Sequence, residues 1–141
     1  MERMFVVELT EKVTFNVHAI DLGDIDLLVE AGIYKSRDEF LSKAIERQLT
    51  RNERKIEFLT ERYGYYLGIV TYGKKDLEKV LRDNMKLELK IIGILNLRDD
   101  ITPDLATRTI KSIKVLGIFN SDDILKEVLR DKIMERAGVA K

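Results

Sequence analysis

Apolar and polar side chains alternate along residues 12–17, near the start of the chain. The apolar positions are Val13, Phe15 and Val17, and the polar positions are Lys12, Thr14 and Asn16. A period of two is typical of a strand with one buried face. Because no second strand pattern follows closely in the chain, the segment predicts a strand that pairs elsewhere, most simply with the same segment of a second chain.

Helical spacing of apolar residues follows the strand. Ile25, Leu28 and Val29 recur at the interval that places them on one face of a helix. Asp21 is the predicted N-cap of this helix, and Gly32 occupies the C′ position that ends it. The pattern predicts a first helix over about residues 21–31.

A second helix is predicted to begin after Ser36, which is a good N-cap with Asp38 and Glu39 in the first helical turn. Its expected buried stripe is Phe40, Leu41, Ala44, Ile45 and Leu49. The same periodicity extends toward Arg62. The sequence therefore leaves two alternatives, an unusually long helix or a helix that breaks near Asn52.

The second half of the chain contains an internal repeat. Residues 91–96 align with residues 115–120 at a 24-residue offset, and residues 66–71 resemble both copies one residue out of step. Each copy contains a glycine between bulky side chains, which is typical of a short buried strand that a neighbouring backbone approaches closely. Residues 87–90 either lengthen the second strand or add another.

A helical segment is predicted after each of these strands. The three segments are residues 74–84, 103–112 and 122–135. Thr102 and Ser121 are the expected N-caps of the last two, and Pro103 suits the first helical position. The alternation predicts either a small α/β layer with parallel strands or a flatter, solenoid-like stacking of the repeats.

These elements place the chain in the α+β class with two domains. Residues 1–62 are predicted to form the strand-and-helix dimer domain with an N-terminal extension. Residues 63–141 are predicted to form a small α/β repeat domain for oligomerisation or sensing. A short additional strand is expected in the extension, over Phe5, Val6, Val7 and Leu9.

Composition narrows the function. The chain has 25 basic and 25 acidic residues, so no global field attracts it to nucleic acid or a membrane. The absence of cysteine excludes disulfides, thiolate metal sites and cysteine catalysis. No apolar run approaches the roughly 18 residues that span a bilayer, and acidic residues make the N-terminus a poor signal peptide. We expect a cytoplasmic protein without membrane contact.

Candidate catalytic and cofactor chemistry is sparse. His18 is the single histidine and is interpreted as a structural turn residue, with a DNA contact or a response to pH as alternatives. The pairs Asp99–Asp100 and Asp122–Asp123 follow strands, where acids are more typical of helix caps than of metal sites. The sequence contains neither the phosphate-loop motif G-x-x-x-x-G-K-[ST] nor the dinucleotide-binding motif G-x-G-x-x-G. We therefore predict no enzyme activity, no cofactor and no metal.

Residues 12–50 resemble the ribbon-helix-helix family, the Arc and MetJ type of repressor, through the polar strand face, the helix ending at Gly32 and the Ser36-Arg37 start of the second helix. The resemblance implies a dimer whose paired strands enter the major groove of double-stranded DNA. Base contacts would come from Lys12, Thr14 and Asn16. Phosphate contacts would come from Lys35, Ser36 and Arg37. The whole chain is also similar to archaeal regulators that join such a domain to a glycine-containing repeat domain.

Charge keeps other functions open. Residues 1–62 hold ten basic and thirteen acidic residues, a net charge of −3, whereas DNA binding usually relies on Lys and Arg. The alternative is an antitoxin-like or scaffold module that binds a protein partner and uses the first domain only to dimerise. A third hypothesis is a regulator that responds to a small molecule bound by the second domain.

Overall fold

The computed structural model describes residues 9–137, which form two compact units. One unit comprises Lys12–Arg62, and the other comprises residues 9–11 together with residues 63–137. The strand expected in the N-terminal extension lies outside the described residues, apart from Leu9, which is exposed and has no regular secondary structure.

The first unit contains three helices, α1 (Ala19–Glu30), α2 (Arg37–Arg51) and α3 (Glu53–Tyr63). Asn52 separates α2 from α3 and caps the C-terminus of α2. Its side-chain amide donates to the carbonyl oxygen of Gln48 at 2.8 Å, and its own carbonyl accepts from the backbone N–H of Ile56. The alternative that breaks the helix near Asn52 is therefore confirmed.

Strands and helices alternate in the second unit. The strands are β1 (Tyr66–Tyr72), β2 (Leu87–Leu97) and β3 (Ile110–Asn120). The helices are α4 (Lys74–Arg82), α5 (Pro103–Thr109) and α6 (Asp123–Val128), followed by a 3₁₀ turn over Arg130–Lys132. Residues 87–90 lengthen β2 rather than forming a separate strand.

The three strands pair in parallel in the order β1-β2-β3, which confirms the parallel pairing expected from the alternation. The register joins equivalent positions of the sequence repeat, so that Gly68, Gly93 and Gly117 lie side by side. Helix α5 contacts both α4 and α6. Strands and helices alternate and the strands are parallel, so the unit matches the small α/β layer rather than the flatter stacking.

The row of glycines holds the strands together at close range. Gly93 has φ +132° and Gly117 has φ +127°, conformations that L side chains rarely adopt. A Cβ at Gly93 would lie well inside 3.0 Å of the carbonyl oxygen of Gly68, and a Cβ at Gly117 would meet Gly93 in the same way. The close backbone approach predicted from the repeat is confirmed.

The hydrophobic core lies between one face of the sheet and the helices. Its most buried members include Leu77 of α4, Leu95 of β2, Ile113 of β3 and Leu125 of α6. Side chains alternate along a strand, so the intervening positions form the opposite face of the sheet. The helices therefore cover the core face, and we call the opposite one the outer face.

A polar ladder crosses the carboxyl ends of the strands. The buried amide of Asn96 donates to Thr71 Oγ1 at 3.1 Å, and its oxygen accepts from Asn120 Nδ2 at 2.8 Å. These residues occupy the same position in each repeat. Registered amides and hydroxyls satisfy one another, as buried polar groups must.

The helix ends differ in part from those expected. Thr102 caps α5, with Pro103 at its first position, as predicted. Ser121 is not the cap of α6. Asp122 takes that place, and its Oδ1 accepts from the backbone N–H of Leu125 at 2.8 Å. The last two helices are also shorter than expected, because residues from Ile110 onward pair in β3 and α6 gives way to the 3₁₀ turn.

Candidate nucleic-acid interface

The predicted recognition strand is unpaired in the single chain. Residues 12–17 make no strand pairing within the described part of the chain. Lys12, Thr14 and Asn16 are exposed. The apolar side is exposed as well, with Val13 79% and Phe15 65% accessible. A strand takes its hydrogen bonds from a neighbouring strand, and the described chain supplies no such neighbour to this segment.

Helix α1 begins earlier than its sequence pattern indicated. His18, rather than Asp21, is the N-cap, and its Nδ1 accepts from the backbone N–H of Ile20 at 3.2 Å. The interpretation of His18 as a structural residue is confirmed, and the assignment of the cap to Asp21 was wrong. At the other end Gly32 adopts φ +78° and closes the helix as predicted.

Two side chains organise the start of α2. Ser36 Oγ accepts from the backbone N–H of Glu39 at 3.1 Å, which confirms the predicted cap. The carboxylate of Glu39 returns to accept from the backbone N–H of Lys35 at 2.6 Å. Ser at the N-cap with Glu three residues later is the pattern of a capping box. Here the glutamate accepts from the residue before the N-cap instead of from the N-cap itself. The loop from Lys35 to Ser36 is thereby fixed against the helix.

Arg37 links the two helices. Its guanidinium makes two parallel hydrogen bonds of 2.8 Å to the carboxylate of Asp26 on α1. The hydrogen bonds from Arg37 lower the pKa of Asp26, and the same pair raises the pKa of Arg37. Both side chains remain about half exposed, so the pair positions the arginine at the surface rather than burying it.

The candidate phosphate-contacting residues are thus brought together at one helix end. Lys35, Ser36 and Arg37 are consecutive, and the first-turn N–H groups of a helix have no acceptor within the helix. Such an end attracts anions. The first turn also carries Asp38 and Glu39, which bring negative charge to the same place.

Sequence reasoning missed two interactions at this site. They are the pairing of Asp26 with Arg37 and the hydrogen bond from the backbone N–H of Lys35 to Glu39. The spacing from Ser36 to Glu39 was a signal for the capping box. No local pattern could have indicated Asp26, because its partner lies eleven residues away across a turn.

The first unit buries almost none of its hydrophobic residues. Ile25 is its single buried residue among those described, and the predicted stripe of α2 is not buried. Large apolar side chains instead lie exposed on every element: Val13, Phe15, Ile20, Leu27, Ile33, Ile45, Leu49, Phe58 and Leu59. The stripe was correctly placed on one helical face, but nothing within residues 9–137 buries it. A unit of this length without a core is not stable by itself.

One carboxylate of each acidic pair after the strands accepts a hydrogen bond from the backbone. Besides the cap made by Asp122, the Oδ1 of Asp100 accepts from the backbone N–H of Lys74 at 3.1 Å. Within residues 9–137, no three histidine, aspartate or glutamate side chains gather as a metal site would require. In the same range no helix is long and apolar enough to cross a membrane.

Comparison with known protein families identifies the family of the chain. The sequence model of a ribbon-helix-helix transcriptional regulator family matches residues 8–133. The protein belongs to this family, and the match extends through the repeat unit instead of stopping near residue 50. Transcriptional regulators with this fold bind DNA and usually dimerise. No curated protein and no solved structure was found that matches the chain.

Proposed function

We propose that the protein is a sequence-specific DNA-binding repressor that acts in the cytoplasm as a symmetric dimer on a palindromic operator. The observation that supports it is the segment 12–17, in which three exposed polar side chains alternate along the sequence with the equally exposed Val13 and Phe15. Pairing two such segments antiparallel gives each its missing hydrogen bonds. The resulting two-stranded ribbon has the width that the major groove admits.

The outward side chains suit base edges. Lys12 matches the acceptors of guanine, Asn16 can form two hydrogen bonds with adenine, and Thr14 accepts or donates to several bases. In a symmetric dimer each side chain occurs twice, so the operator has two half-sites related by a dyad.

The start of α2 supports the ribbon by holding the DNA backbone. Ser36 fixes the helix end, Asp26 orients the guanidinium of Arg37, and Lys35 adds a second cation. These groups carry no sequence information, and their role is to set the position of the ribbon in the groove. If repeat units of neighbouring dimers also associate, two dimers would occupy adjacent sites with a gain from effective concentration.

Selection from random duplex DNA tests the proposal. The purified protein is expected to enrich a palindrome, and its binding should weaken as salt rises. The triple variant Lys12→Ala/Thr14→Ala/Asn16→Ala should lose at least about 100-fold in affinity for that sequence, because each good base contact contributes about 1–3 kcal/mol. Lys55→Ala removes one cation from α3 and is the matched control. Full operator binding by the triple variant would refute this interpretation of the ribbon.

The phosphate contacts make a separate prediction. Lys35→Ala should weaken binding to all sequences alike and should reduce the salt slope by about 2 per dimer, since each lost phosphate contact contributes about 0.9. An unchanged slope would show that Lys35 does not contact a phosphate.

A specific observation favours a second candidate, the protein-interaction module. Residues 1–62 carry a net charge of −3, and the guanidinium of Arg37 is already paired with Asp26. Such a dimer would be an antitoxin-like or scaffold module that binds a protein partner and uses the first unit only to dimerise. Absence of enrichment in the selection, with an intact dimer, would establish that alternative over the regulator.

A further inference from the structure

The outer face of the sheet carries an apolar surface that the helices do not cover. The register aligns two rows of aliphatic side chains across the three strands. One row is Leu67, Ile92 and Leu116, and the other is Ile69, Ile94 and Ile118. On the edge strand β1, Leu67 is 64% and Ile69 61% accessible. The other members are less exposed: Ile94 is buried, and Ile92, Leu116 and Ile118 are half-buried. Parallel sheets are almost always covered on both faces, so this surface needs an occupant.

The polar groups at the two ends of this surface differ. The Thr71–Asn96–Asn120 ladder borders the carboxyl end. By strand alternation Lys90 and Lys114 border the amino end of the same face. The surface between them contains no charged side chain. Lys90 Nζ already donates to the backbone carbonyl of Tyr63 and lies over the ring of Tyr65. A partner should therefore be aliphatic in the middle, with an acceptor opposite Lys114.

The area of the surface limits the kind of partner that can bind it. Three strands about 4.8 Å apart and seven residues of about 3.3 Å each outline roughly 330 Å². A stable interface between free proteins needs about 800 Å² on each partner. The outer face is too small to recruit an independent protein, but it suffices for a partner that is already tethered nearby.

We propose that the outer face packs against the outer face of a second copy, with the strands of the two sheets antiparallel. The exposed apolar residues of the first unit indicate that it pairs with the first unit of a second chain. That pairing tethers the two repeat units to the same dimer. The antiparallel arrangement sets each lysine end against the partner's hydroxyl and amide oxygens, whereas a parallel one would set lysines against lysines. The inference relies on the dimer proposed above but not on DNA binding.

Distances between labelled copies test the arrangement. The chain lacks cysteine, so single Cys variants accept one spin label per copy. Packed sheets lie about 10 Å apart, and the antiparallel two-fold places the middle of β1 over its own counterpart, so labels at Ile69→Cys should lie within about 20 Å. Labels at Ile124→Cys, on an exposed residue of α6, should be farther apart because two helical layers separate them.

A third label separates failure of this inference from failure of the proposed dimer. Thr14→Cys reports the ribbon, where an antiparallel pair brings the two labels within about 20 Å. A short distance at residue 14 with a distance at residue 69 equal to or longer than that at residue 124 would overturn the outer-face packing alone. The absence of any short distance at residue 14 would overturn the ribbon dimer on which it relies.

Self-association supplies an independent measurement. The variant Leu67→Glu/Ile69→Glu should raise the concentration at which the copies separate by at least tenfold, as measured by sedimentation velocity on the full chain. Ile124→Glu introduces the same charge at an equally exposed aliphatic residue and should leave that concentration unchanged. Equal behaviour of the two variants, both folded by circular dichroism, would overturn the proposal.

Discussion

Replacing Gly93 with alanine tests the reasoning behind the repeat unit most directly. Two independent penalties apply at this position. The backbone has φ +132°, and holding an L residue in such a region costs about 1–3 kcal/mol. The new Cβ would also meet the carbonyl oxygen of Gly68 well inside 3.0 Å, so β1 and β2 must move apart. Each interstrand hydrogen bond lost contributes about 0.5–1.5 kcal/mol.

We expect Gly93→Ala to lower the free energy of unfolding of the repeat unit by about 3–5 kcal/mol, a large share of the 5–15 kcal/mol typical of a domain. Urea unfolding followed by far-ultraviolet circular dichroism measures this change. In thermal unfolding the same loss lowers Tm by at least about 12 °C.

Two other glycines provide matched controls. Gly68→Ala shares the positive φ but would meet a ring carbon of Tyr66 at 3.2 Å instead of a backbone, so a loss of about 1–3 kcal/mol is expected. Gly23 lies in α1, and a Cβ there would meet nothing within 4 Å. Gly23→Ala should therefore stabilise α1 by about 0.5–1 kcal/mol. A loss of less than about 1 kcal/mol in Gly93→Ala, or an equal loss in Gly68→Ala, would contradict the close contact of β1 and β2 as the cause.

Three further predictions concern single hydrogen-bonded groups. Because Arg37 lowers the pKa of Asp26, their pair stabilises the fold above the unfolded carboxyl pKa of about 3.9 and is lost as the pH falls through the lower folded value. Urea unfolding should therefore separate Asp26→Asn from the wild type near neutral pH and show the difference shrinking on acidification, and a constant difference would contradict the assignment. Ser36→Ala should lower the free energy of unfolding by about 1 kcal/mol through loss of the cap, whereas Ser42→Ala within the exposed part of α2 should not, and equal effects would argue against the cap. Asn96→Ala should lower the free energy of unfolding by about 1–3 kcal/mol in the same assay by removing its hydrogen bonds to Thr71 and Asn120, and a neutral result would mean that the ladder adds no stability.

The positions of most elements could be read from local pattern. Helix stops and starts at Gly32, Ser36 and Thr102–Pro103 follow from groups within one turn of each other, which a sequence displays directly. The 24-residue repeat predicted which residues would be equivalent, and the sheet register joins those same residues. The glycines were informative because their strands approach closely only without a Cβ.

The sequence pattern alone could not decide between two nearby candidates for the same N-cap. His18 rather than Asp21 and Asp122 rather than Ser121 accept the first free N–H groups of α1 and α6. Each alternative has a suitable acceptor, and the choice depends on where the chain enters the helix.

The remaining features depend on contacts between elements that are distant in sequence. The Asp26–Arg37 pair requires the particular crossing of α1 and α2, and stacking of the strands in chain order requires α4, α5 and α6 to pack on one face. The stripe of α2 was predicted as buried, but none of its residues is buried in the part of the chain that the structure describes. Periodicity identifies which side chains share a face, whereas burial depends on what packs against that face, and only the tertiary structure supplies that information.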